Sequence, residues 1–76
     1  MSGNSFANRL YWEATYEIVL GLIAVYPQID IEMVGESQLI DMIVSLPNFV
    51  DDPSLVNEGI LKDILREWYE EVNPYE

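Results

Sequence analysis

The chain has 76 residues, half of them hydrophobic, and carries 3 Lys and Arg against 14 Asp and Glu, a net charge of −11. This composition predicts a single folded domain over residues 1–76 rather than a disordered chain. The absence of cysteine and histidine excludes disulfides, thiolate zinc sites and histidine-dependent catalysis, and the negative charge disfavours binding to nucleic acid and to anionic membranes.

The N-terminal segment, residues 1–8, is small and polar and is expected to form a loose arm. It has no apolar block, so no secretory signal is predicted there. The apolar run at residues 18–26 is too short to cross a bilayer. We therefore expect a cytoplasmic protein.

The first predicted helix covers residues 9–25. Its apolar positions repeat at intervals of four and three residues, which places on one face Trp12, Tyr16, Val19, Ile23 and Tyr26. Three further residues widen that face: Ile18, Leu22 and Val25. The helix is therefore expected to lie mostly in the core, with some apolar surface exposed. Tyr26-Pro27 ends it, because a residue before proline avoids the helical conformation.

The middle of the chain predicts a turn and a second helix. Asp30 is expected to cap a turn over residues 31–33, and Ser37 to cap a helix over residues 38–46. That helix is expected to bury Leu39, Met42, Ile43 and Leu46. Residues 33–34 and 49–50 are expected to pair as a very short β-bridge.

The third predicted helix begins at Pro53 or Ser54 and runs to residue 72, with Asp51-Asp52 before it as capping carboxylates. Asn57 offers a second possible start. The apolar stripe of this helix is expected to comprise Ile60, Leu61, Ile64, Leu65 and Trp68. A line of charges at intervals of four residues predicts solvated i,i+4 pairs on its other face: Glu58, Lys62, Arg66 and Glu70.

Carboxylates are the only candidate reactive groups. A chain of this size has little room for the cleft that a two-carboxylate glycosidase needs, and the acids do not follow the ligand spacing of an EF-hand. Weak binding of a hard cation by Asp51 and Asp52 stays open, with Asp30, Glu32 and Glu58 as candidate neighbours, but helix caps and solvated acids explain each residue more simply. The aromatic residues at helical spacing are expected in the core: Trp12, Tyr16, Tyr26, Trp68 and Tyr69.

Between Trp12 and Trp68 lie three ordered blocks: Tyr26-Pro27 with Asp30, the segment Phe49-Val50-Asp51-Asp52-Pro53, and the segment Asn57-Glu58-Gly59-Ile60-Leu61. Together they resemble the IscX (YfhJ-like) family of small acidic iron–sulfur cluster assembly proteins. The spacings match without gaps from Trp12 to Trp68. The sequence departs from the family pattern at Gln28, Ile31, Gly35, Glu36, Met42, Val50 and Lys62.

The resemblance implies a compact, mostly α, three-helix domain with a winged-helix-like arrangement. It implies a non-enzymatic adaptor or regulator whose acidic surface docks on the basic surface of a cysteine desulfurase. Family acids correspond to Glu17, Asp30, Asp51, Asp52 and Glu58, which are the expected partner-binding residues. The resemblance also implies weak iron binding, for which Asp51, Asp52 and Glu58 are the candidate ligands, and no tightly bound cofactor.

Two alternatives stay open beside this expectation. The apolar first helix is also compatible with a homo-oligomer. The strong negative charge is also compatible with an acidic mimic of nucleic acid. Neither alternative requires a metal.

Overall fold

Three helices form the fold of the computed structural model, which describes residues 9–73. They are α1 at Thr15–Val25, α2 at Glu36–Val44 and α3 at Glu58–Val72. Two short 3-10 turns, Ile31–Met33 and Pro53–Leu55, lie in the connections. The expected loose arm at residues 1–8 and residues 74–76 of the expected tail lie outside the described residues. The expected three-helix, mostly α architecture is confirmed, and the winged-helix-like detail stays a prediction.

The core forms where the apolar faces of the three helices meet. α1 packs chiefly against α3 and more lightly against α2. The buried side chains are Leu10, Trp12, Ile18, Val19, Leu22, Leu39, Met42, Ile43, Leu46, Leu61, Ile64 and Trp68. This set confirms the predicted buried face of α2 and the centre of the predicted stripe of α3. Burial of such side chains from each helix supplies the main driving force for folding.

The first helix begins later than predicted. α1 starts at Thr15 rather than near Arg9, and the chain before it turns, with the Ala14 N–H donating to the Tyr11 carbonyl. The buried face is also displaced. Ile18, Val19 and Leu22 lie in the core, whereas the predicted face residues Tyr16 and Val25 are about half exposed. α1 does end before Tyr26-Pro27 as predicted.

The second and third helices also differ from the prediction at their starts. α2 follows Gly35 without a side-chain cap, so the predicted Ser37 cap is wrong. α3 begins after Asn57, which confirms the second predicted start rather than the start at Pro53 or Ser54. The Asn57 side-chain oxygen accepts a hydrogen bond from the Ile60 N–H at 2.9 Å. Asp51 and Asp52 therefore precede the second 3-10 turn, which begins at Pro53, and the segment does not start α3 directly.

The β-bridge joins different segments from those predicted. Leu10 pairs with Phe49 in an isolated parallel bridge, and no bridge to residues 33–34 occurs among residues 9–73. The Leu10 N–H donates to the Asn48 carbonyl, and the Val50 N–H donates to the Leu10 carbonyl. These bonds fix the segment before α1 to the segment before the second 3-10 turn. Among the described residues, no helix has the length and apolar character that crossing a membrane requires.

Candidate functional site

Trp12 and the Asp51-Asp52 pair form one connected unit, which we name the Trp12 junction. The Trp12 backbone N–H donates to Asp51 Oδ2 at 3.0 Å, and its indole Nε1–H donates to the Asp52 carbonyl at 2.8 Å. The indole ring is buried and packs edge-to-face against the Phe49 ring, with 4.9 Å between the ring centroids. The other Asp51 oxygen accepts from the Asp52 N–H at 2.7 Å. Both Asp51 carboxylate oxygens therefore accept backbone hydrogen bonds that stabilise the fold. The sequence pattern did not indicate this structural role.

Asp52 caps the second 3-10 turn and points its carboxylate to solvent. Oδ1 accepts hydrogen bonds from both the N–H and the hydroxyl of Ser54, at 3.0 and 2.9 Å. The backbone hydrogen bond from Ser54, followed by the hydroxyl bond, lowers the pKa of Asp52 below its ordinary value. Asp52 therefore presents a fixed negative charge to solvent at neutral pH.

The start of α3 carries Glu58, the fifth predicted partner-binding acid along the chain after Glu17, Asp30 and the Asp51-Asp52 pair. Glu58 lies exposed in the first turn of the helix, where a negative charge is favoured by the helix dipole. Arg66 forms an ion pair with Asp63 at a spacing of i,i+3 instead of a predicted i,i+4 pair, with 3.6 Å between Arg66 Nη2 and Asp63 Oδ1. This pair is exposed and contributes little to stability.

Asp30 caps the first 3-10 turn as predicted, with Oδ1 accepting from the Glu32 N–H at 3.1 Å. The same turn forms one wall of an open groove of about 310 Å³, and the C-terminal end of α3 forms the other. We name it the Tyr69 groove, and its main lining residues are Ile29, Asp30, Ile31, Glu32, Tyr69 and Val72. Tyr69 is 37% exposed, so the prediction that it lies in the core is wrong.

Glu17 does not line the Tyr69 groove. It lines a second hollow of about 260 Å³, to which Asn48 also contributes. The apolar part of its lining comes from Leu10, Leu20 and Gly21. Gly21 permits a close approach here, because a Cβ at this position would lie 3.3 Å from the end of the Leu46 side chain. The hollow has one carboxylate and is otherwise apolar or neutral.

The five predicted partner-binding acids therefore do not form one cluster. Asp51 and Asp52 share the Trp12 junction, Asp30 lines the Tyr69 groove, and Glu17 lines the second hollow. Within residues 9–73, no group of three or more acids is placed to hold one metal ion. The candidate ligands Asp51, Asp52 and Glu58 therefore do not form a preorganised iron site, and weak iron binding stays a prediction from the resemblance.

Comparison with known proteins decides the family. The family model described as iron-sulphur cluster assembly matches residues 10–73, which is most of the chain. The chain belongs to the IscX family. It is also similar to an uncharacterized protein of Pseudomonas aeruginosa, with 36% identity over 62 residues that cover 82% of this chain and 94% of that protein. Membership in the IscX family implies a role in iron–sulfur cluster assembly.

Sequence reasoning missed the Tyr69 groove, which the IscX family resemblance did not indicate either. The sequence predicts Tyr69 in the aromatic core and Val72 at the end of the third helix, yet both residues line the groove with Asp30 and Glu32. A signal was available in the spacing. Tyr69 and Val72 lie three residues apart and so share a helix face beside the buried stripe through Trp68.

Proposed function

We propose that this protein is a non-enzymatic adaptor or regulator of iron–sulfur cluster assembly that docks on the basic surface of a cysteine desulfurase. The observation that carries the proposal is the family match over residues 10–73 in a chain with a net charge of −11. The family match supports a role in iron–sulfur cluster assembly, and the negative charge of the chain supports a basic partner surface.

The distribution of charge supports docking through carboxylates. None of the described acids is buried, so each one adds to the field outside the protein. Acids at several separate places suit an extended contact with a basic surface better than a single small site. We propose Glu17, Asp30, Asp52 and Glu58 as direct contacts. Asp51 contributes charge and also holds the Trp12 junction.

Titration of the chain against a purified cysteine desulfurase at low and at moderate salt tests the proposal. We expect binding at low salt that weakens several-fold as the ionic strength approaches about 0.15 M, because screening shortens the reach of surface charges. Absence of binding at low salt, or affinity that salt leaves unchanged, would contradict electrostatic docking.

Self-association through α1 is the competing explanation, and a specific observation favours it. Tyr16, Leu20 and Val25 are each more than two-fifths exposed on this helix. Sedimentation of the chain alone, at the highest concentration used in the titration, is therefore the control. A monomer is expected, because the net charge opposes contact between two copies.

Weak iron binding remains a separate prediction. Since the described acids form no preorganised set of three ligands, any affinity is expected to be low and to lack a fixed stoichiometry. Calorimetric titration with ferrous iron under anaerobic conditions measures it. A tight one-to-one isotherm would contradict this expectation and would point to a site that the described residues do not assemble.

A further inference from the structure

We propose that the Tyr69 groove is the seat for an arginine side chain of the docked partner, flanked in the partner by apolar residues. The inference rests on the proposed function, which it deepens by naming where one cationic group binds. The groove has three properties that together select this occupant: its charge, its aromatic wall and its size.

The groove carries negative charge that no cation within it balances. Asp30 and Glu32 supply two carboxylates, and no Lys or Arg is among the lining residues. The last turn of α3, which forms the opposite wall, also contains no basic residue. A helix C-terminus carries a partial negative charge and favours a cation. Both walls therefore attract positive charge.

The Asp30 carboxylate is held in position before any partner arrives. Its Oδ1 accepts the Glu32 N–H at 3.1 Å, while Oδ2 accepts no hydrogen bond from residues 9–73. A carboxylate fixed by a cap loses little conformational freedom when it accepts a further donor. Arginine offers two parallel donors to such a group, and lysine offers a single point charge.

The aromatic wall favours a planar cation. Tyr69 lines the groove and is 37% exposed, and a guanidinium stacks favourably on a tyrosine ring. The end of α3 is fixed next to it, since the Asn73 side-chain amide donates to the Tyr69 carbonyl at 3.2 Å.

The size and the remaining lining suit a short peptide segment. About 310 Å³ lies at the lower end of the range for ligand sites, so the groove suits one or two side chains better than a cofactor. Ile29 and Val72 line it, and Val72 is 44% exposed. These apolar side chains favour an apolar neighbour of the arginine in the partner.

Nuclear magnetic resonance titration of the full, isotope-labelled chain tests the groove directly. The probes are a blocked tripeptide Leu-Arg-Leu and the same tripeptide with neutral citrulline in place of arginine. We expect the arginine peptide to shift amide signals of residues 29–32 and 69–73, and the citrulline peptide to bind about tenfold more weakly. Equal binding of both peptides, or shifts that are largest elsewhere or spread over all acids, would overturn the proposal.

A pair of variants with equal charge tests the groove in the complex. Glu32→Gln removes a groove carboxylate, and Glu36→Gln removes an exposed carboxylate that does not line the groove. We expect affinity for the desulfurase to fall about tenfold for Glu32→Gln and no more than about twofold for Glu36→Gln. Melting curves for both variants check that the fold is intact.

The two measurements separate the two proposals. Equal losses for the variants overturn the groove and leave electrostatic docking in place. Failure of the unaltered chain to bind the desulfurase overturns the proposed function, and the peptide titration then still decides whether the groove accepts arginine.

Discussion

Replacement of Trp12 by alanine is expected to lower the free energy of unfolding by about 3–5 kcal/mol, the range for truncation of a large buried aromatic side chain. Trp12 is 2% exposed, packs edge-to-face on Phe49 and donates its indole N–H to the Asp52 carbonyl. A domain of this length has a total stability of about 4–11 kcal/mol. The expected loss is therefore a large fraction of the total stability.

Urea unfolding followed by circular dichroism measures this loss. Trp12→Phe is the graded variant. It keeps an aromatic ring against Phe49 but leaves the Asp52 carbonyl without its indole donor, so an intermediate loss is expected. Tyr16→Ala is the control, because Tyr16 is 48% exposed and should change stability by less than about 0.5 kcal/mol. Equal midpoints for the Trp12 and Tyr16 variants would show that the Trp12 junction does not hold the fold.

Replacement of Asp51 by alanine is expected to cost about 1–3 kcal/mol, because two backbone N–H groups lose their acceptor. Those groups belong to Trp12 and Asp52, at 3.0 and 2.7 Å. For a domain of this size the melting temperature should fall by about 4–8 °C per kcal/mol. Differential scanning calorimetry gives the value.

Two further variants separate structure from charge. Asp51→Asn keeps one acceptor oxygen and should lose less stability than Asp51→Ala. Asp41→Asn, at an exposed position of α2, makes the same change in net charge and should leave the melting temperature nearly unchanged. An unchanged melting temperature for Asp51→Ala would restore the view of Asp51 as a partner-facing acid only.

The Asp51 result bears on how docking should be mapped. Weaker desulfurase binding by an Asp51 variant would not identify a contact, since the variant also disturbs the Trp12 junction. Asp52 and Glu58 are exposed and are better probes of the proposed surface. Glu58→Gln removes a charge without removing the cap of α3, which Asn57 supplies.

The fold could be predicted where local signals act alone. The sequence predicts Asp30 as the cap of its turn because a carboxylate at that position accepts an N–H two residues ahead, a contact that requires no distant residue. The buried face of α2 followed from residue spacing for the same reason. The predicted partner-binding acids were found on the surface, but spacing along the chain could not indicate that they would occupy separate places.

The start of α1 could not be predicted from spacing. Trp12 lies four residues before Tyr16 and fits a helical repeat, yet its N–H donates to Asp51, 39 residues away. The β-bridge between Leu10 and Phe49 holds the segment before α1 in a non-helical conformation. Periodicity records only which residues can share a face, so it cannot detect a competing long-range hydrogen bond.

The sequence by itself determined the helical class, the acidic character and the family, because these depend on composition, on spacing along one helix and on short ordered motifs. Only the tertiary structure decided the roles of Asp51 and Tyr69. Asp51 became a structural acceptor because Trp12 lies beside it in space, and Tyr69 became a groove wall because the turn at Ile31–Met33 packs near the end of α3. Both results come from contacts between residues about 40 positions apart, which local patterns do not encode.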